Sequence, residues 1–136
     1  MAKPVNLVLC WHMHQPYYRK GPEGEYRLPW VYLHGIKDYA DMAAHLENNP
    51  RMRAVVNFAP ILLEQLQDYA AQLQRYLEDG APMLDPLLNT LAGAAPIPHD
   101  SDGRQTLISA CRRAHAPRMI EPHKHFSLLS HIFDDM

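Results

Sequence analysis

Two short runs are all that this chain offers toward a β-sheet, and that scarcity limits its possible folds more than any other feature. VNLVLCWH, residues 5–12, is almost continuously apolar, as a strand covered on both faces of a parallel sheet would be. MRAVVNFAP, residues 52–60, is short, rich in β-branched residues and ended by Pro60. Between them, residues 31–49 carry a helical period. Ile36, Tyr39, Ala40 and Ala43 fall at i, i+3, i+4, i+7 spacing, with Met42 and Leu46 alongside and Pro50 closing the stretch. Strand, helix, strand is a βαβ unit, so the two strands are expected to lie parallel.

The rest of the chain reads as helix and loop. A helix is expected over about 61–78, with Leu62, Leu66, Tyr69, Leu73 and Tyr76 as its apolar stripe and Gly80 at its C-terminal cap. Asp85 and Pro86 fit the N-cap and first residue of a shorter helix reaching about Ala92. Residues 93–104 read as loop, followed by helices over about 105–115 and 124–134, with Pro117 and Pro122 between them. A two-stranded parallel sheet does not stand alone, because its edges and faces need neighbours. The expectation is therefore an α/β fold, two parallel strands followed mostly by helices, with residues 1–136 forming the N-terminal piece of a larger domain. Such a piece could be a truncated gene product or part of a longer chain. The apolar residues of LLSHIF, 128–133, point the same way.

Composition removes several classes of function. A formal charge of −2 with no basic block gives no reason to expect nucleic acid or an anionic membrane surface as partner. No run approaches the ~20 apolar residues needed to cross a bilayer. The N-terminus carries only Lys3 before a short apolar stretch, and His12 and His14 follow where a signal peptide would place small residues. Cys10 and Cys111 are too few and too far apart for a disulfide framework or zinc knuckle. Cys10 reads as a small buried hydrophobe, and a reducing, cytoplasmic setting is expected.

The chemistry concentrates where the first run gives out, in WHMHQPYY, residues 11–18. Alternate side chains of a strand share a face, so His12 and His14 point one way and Trp11 and Met13 the other. In parallel α/β proteins the ligand site lies at the carboxyl ends of the strands. His12, His14 and Gln15 occupy that end of the first strand, and Asn57 that of the second. Three readings stay open on residue type alone. The histidines could be satisfied locally at a strand end. They could ligate a divalent metal, as in a metal-dependent hydrolase or deacetylase, although His34, His45, His99 and His115 supply no matching spacing for further ligands. They could instead grip sugar hydroxyls with the Gln15 amide, since such groups both give and take hydrogen bonds. Trp30, Tyr17 and Tyr18 would then offer flat faces to a sugar ring.

WHMHQPYY, with its HQP core, resembles the first sequence region of glycoside hydrolase family 57, which comprises α-amylases, amylopullulanases and 4-α-glucanotransferases. LPWVYLHGIKDYADMAAHLENNP, residues 28–50, and VVNFAPILLEQLQDYA, residues 55–70, resemble the segments that follow. The likeness is best over residues 5–78 and looser afterwards, with RMIEP at 118–122 still similar. The resemblance implies a (β/α)7 barrel acting with retention on α-glucans or maltooligosaccharides, with no metal or cofactor in catalysis. It implies that His12, His14 and Gln15 line the subsite of the attacked sugar and that Trp30 lies by the mouth.

Retaining glycosidases need two carboxyl groups about 5–5.5 Å apart, which the family draws from later strands. Asp38, Asp41 and Glu47, like Glu64, Asp68 and Glu78, read as solvated helix charges, and Glu23 and Glu25 fall in a loop. The chain alone is therefore expected to be inactive. A non-catalytic carbohydrate-binding or structural remnant is the remaining alternative.

Overall fold

The computed structural model describes residues 5–134; Lys3 lies outside them. The chain divides into two compact units, residues 1–95 and 96–136. In the first unit, β1 (Cys10–Met13) pairs parallel with β2 (Val55–Phe58), Cys10 opposite Val55 and His12 opposite Asn57. The connection runs through α1 (Trp30–His34), a π-helical turn at Gly35–Tyr39 and α2 (Ala40–Asn48), which continue one into the next. Then follow α3 (Pro60–Asp79) and α4 (Pro86–Leu91). The expected βαβ unit and its parallel pairing are both present.

The strands differ from expectation in extent and in cover. The ladder reaches only from the Val55 N–H on the Leu9 carbonyl to the Ala59 N–H on the Met13 carbonyl, so residues 5–9 fall outside it. Only Met13 of β1 is buried, and all of β2 is exposed, Val55 by 56% and Phe58 by 41%. The expectation of strands covered on both faces is corrected, and so is that of a buried Cys10, which is exposed. Among the described residues the sheet has only these two strands, and a strand's faces are buried by layers packed on the sheet, not by its hydrogen-bonded neighbour.

The core of this unit gathers Met13, Tyr26, Val31, Tyr32, Leu62 and Tyr69. α3 begins with Pro60 in its first turn, where the missing N–H costs nothing. It ends at Gly80, whose φ of 70° suits a left-handed cap that a Cβ would strain. Its buried side chains are Leu62, Gln65, Tyr69 and Gln72. Two glutamines thus sit within the stripe, and Leu66, Leu73 and Tyr76, expected there, are only partly buried.

Each glutamine is buried because it closes backbone hydrogen bonds that would otherwise be left open. The Gln65 Nε2 donates to the carbonyls of Pro16 (3.0 Å) and Ile61 (3.1 Å), and its Oε1 accepts from the Tyr18 N–H (3.0 Å). Gln72 accepts from the Leu84 N–H and donates to Asp68. Asp68, expected as a solvated charge, also takes the Tyr26 hydroxyl at 2.8 Å and lies 3.4 Å from the Arg19 guanidinium. Asp85 caps α4 through the Leu88 N–H at 3.0 Å and accepts the Tyr69 hydroxyl at 2.7 Å.

The helical stretch before β2 also turns a different face inward. Tyr39 and Met42 pack on the core, whereas Ile36, Ala40 and Ala43 are exposed. Gly35 opens the π-turn beside Leu66, where a Cβ would come within 3.1 Å of the leucine's Cδ2.

The second unit holds α5 (Ser101–Cys111), α6 (Ala116–Met119) and α7 (Lys124–Asp134). α5 starts earlier than expected because Asp100 caps it, accepting from the Gly103 N–H at 2.7 Å. Arg112 forms a two-pronged pair with Asp134 at 2.7 and 2.9 Å. Among the described residues, no helix is long and apolar enough to cross a membrane.

Candidate functional site

The parallel register sets His12 beside Asn57 at the carboxyl end of the sheet. The His12 Nδ1 meets the Asn57 Oδ1 at 2.6 Å. With Oδ1 accepting, Nδ1 carries the proton, and Nε2 is left with a lone pair for a ligand. The His12 and His14 rings lie 6.0 Å apart between centroids and only 12° from parallel. Both are exposed while Met13 between them is buried, the alternation expected of a strand.

Gln15 sits just past the strand and joins it to the helical layer. Its Oε1 accepts the Tyr18 hydroxyl at 2.9 Å, and its Nε2 donates to the Tyr39 hydroxyl at 3.3 Å. A carboxamide has two donors and two acceptor sites, so one of each remains. Burial, and then the neighbouring Tyr39, raise the pKa of Tyr18, which keeps its hydroxyl a neutral donor. The backbone that carries these groups is held from behind by Gln65. The structure therefore bonds His12 to Asn57 and sets His14 parallel to His12 at the strand end, whereas the Gln15 side chain bonds into the helical layer at Tyr18 and Tyr39.

Trp30 begins α1, and its ring lies 6.3 Å from that of His34, at 43°. It is grouped with the π-turn; no recorded ring contact or hydrogen bond links it to His12 or His14 among the described residues.

A cluster not singled out from the sequence lies where α1 meets the π-turn. The His34 Nδ1 and the Lys37 ammonium both bond to the Asp38 carboxylate. Lys37, and then His34, hold the Asp38 carboxyl below its usual range. A depressed carboxylate pKa stabilises the fold above the unfolded value and stops doing so as pH falls through the folded one. The cluster should therefore stay intact at pH 5 and open only below the usual carboxylate range, near pH 4. Proton and nitrogen NMR of the His34 ring would follow it. Loss of the Nδ1–Asp38 bond already at pH 5 would contradict this assignment. Both side chains are over a third exposed, so the effect on global stability should be small, ~0–1 kcal/mol.

A metal centre gains no geometric support. Among the described residues, no group of three or more His, Cys, Asp or Glu side chains could hold an ion.

Two parallel strands with helices define an α/β fold, and polar side chains stand at the carboxyl ends of its strands, where such folds commonly hold ligands. The family model of glycosyl hydrolase family 57 matches residues 8–127. The chain belongs to glycosyl hydrolase family 57, a membership that points to carbohydrate as the substrate class. The match runs beyond residue 78, where the quoted likeness is best, to residue 127. No curated protein and no solved structure matches the chain.

Proposed function

We propose that residues 1–136 are the N-terminal part of a (β/α)7-type catalytic domain acting with retention on α-glucans or maltooligosaccharides, as hydrolase or glucanotransferase. In this reading the chain supplies one wall of the sugar site. His12, His14, Gln15 and Asn57 take the sugar hydroxyls, and Trp30 offers a ring face. The observation that carries the reading is the His12–Asn57 bond at 2.6 Å, which fixes an imidazole lone pair at the strand ends. The exposed apolar faces of β1 and β2 support the view that further strands complete the sheet.

Three aspartates of the first unit have other tasks. Asp38 is engaged by His34 and Lys37, Asp68 by Tyr26 and Gln72, and Asp85 by Tyr69. We place the nucleophile and general acid outside these residues.

The purified chain should bind maltoheptaose weakly, with Kd in the millimolar range or ~4 kcal/mol, and should release no sugar from maltodextrin. His12→Ala should weaken binding about tenfold, followed by NMR titration. Turnover by the chain alone, or unchanged affinity in His12→Ala, would overturn the proposal.

A further inference from the structure

We propose that His34, oriented by Asp38 and flanked by Trp30 and Tyr39, is a second sugar-gripping arm that receives a glucan hydroxyl at its Nε2. The inference rests on the carbohydrate-binding reading above and adds a site residue and its positioning partner to it.

Three observations set this cluster apart from an ordinary helical i, i+4 pair. The first is the backbone. The residues between His34 and Asp38 belong to the π-helical turn Gly35–Tyr39, a geometry that is rare and concentrates at functional sites.

The second is the state of the imidazole. An ionised carboxylate only accepts, so the His34 Nδ1 must be the donor, and Nε2 is the nitrogen left for a ligand. Lys37 keeps Asp38 charged from its other oxygen, so the carboxylate remains an acceptor.

The third is the surroundings. The Trp30 and Tyr39 rings each lie 6.3 Å from the His34 ring, at 43° and 33°. Two aromatic faces beside a polar nitrogen suit a sugar, which has apolar ring faces and a hydroxyl rim. The Tyr39 hydroxyl accepts from the Gln15 Nε2, and its own proton has no recorded acceptor among the described residues. A continuous run of donors, acceptors and rings thus leads from Tyr18 through Gln15 and Tyr39 to His34. The sugar-binding wall extends from the strand end onto the π-turn, with His34 as contact residue and Asp38 as positioning residue.

The test is an NMR titration of the full 136-residue chain, nitrogen-labelled, with maltoheptaose. In the unsubstituted chain the His34 Nε2 resonance should move on saturation. His34→Ala and Asp38→Ala should each weaken binding about tenfold. Asp38→Asn, whose Oδ1 can still accept from Nδ1, should keep most of the affinity. A merely structural Asp38 would leave the sugar-dependent shift of the His34 Nε2 resonance unchanged in a folded Asp38→Ala chain, which would overturn its positioning role. If maltoheptaose binds and His12→Ala weakens it, while His34→Ala binds normally and Nε2 stays still, this inference fails and the strand-end site survives. If maltoheptaose does not bind at all, both fail. If the alanine variants do not fold, the Nε2 response of the unsubstituted chain decides alone.

Discussion

Gln65→Ala should destabilise the first unit by about 2–5 kcal/mol and loosen the segment carrying the strand-end site. Gln65 is 1% exposed. Its removal leaves the Tyr18 N–H and the Pro16 carbonyl without their side-chain partner, each at about 1–3 kcal/mol if it stays buried. Part of that cost will be recovered by the segment opening to water, which is what should release Gln15. Chemical denaturation gives the stability, and hydrogen exchange at the Tyr18 amide gives the local opening. Gln65→Glu should do little better at neutral pH. Its carboxylate could still accept from Tyr18, but it would face the Pro16 and Ile61 carbonyls with no proton to donate. A loss below about 0.5 kcal/mol, the ordinary scale of surface substitutions, would mean that the glutamine does not anchor this segment.

Asp85→Ala should cost about 2–4 kcal/mol. It removes the α4 cap, about 1 kcal/mol, and leaves the Tyr69 hydroxyl, on a side chain 3% exposed, without its acceptor, about 1–3 kcal/mol more. Tyr69→Phe removes one bond and should cost less, and a double-mutant cycle would isolate the coupling. Burial, then the bond to Asp85, raise the Tyr69 pKa far above its usual value. Burial and Asp68 do the same for Tyr26. Groups whose folded pKa is raised stabilise fully below the unfolded value, so stability should decline as pH rises past about 10. Tyr69→Phe should flatten that decline. An Asp85→Ala variant as stable as the parent, with the same alkaline slope, would contradict this account.

The order of the elements was legible because each left a local mark. Apolar runs ended by proline gave the strands, Gly80 gave a left-handed cap, and Asp85-Pro86 gave a helix start. The alternation of His12, Met13 and His14 across the strand was equally readable. What could not be read depended on partners distant in sequence. Gln65 and Gln72 lie at the same helical spacing as Leu62 and Tyr69, but polar residues are normally assigned outward. Only the bare groups at Pro16, Tyr18 and Leu84 turn them in. Ile36 looked like a core position until Gly35 and Leu66 set which face of that helix meets α3.

The same limit applies to the site. His12, His14, Gln15 and Asn57 were singled out from residue type, strand-end position and the family resemblance; the structure bonds His12 to Asn57 and sets it parallel to His14, whereas Gln15 bonds to Tyr18 and Tyr39. Asp38 was set aside as a surface charge, although its i, i+4 spacing from His34 in the helical stretch was a readable signal for their bond. Asp100 was hidden within a stretch rich in glycine and proline, so the first turn of α5 read as loop.

The bare flank of β2 has a consequence for how the polypeptide fares in a cell. Val55, Val56 and Phe58 are exposed on a ribbon that has only two strands among the described residues, and the open edge of such a sheet is a template to which another chain can add a strand. Released alone from the ribosome, such a molecule would be a natural client for chaperones and proteases, and in concentrated solution it would tend to clump.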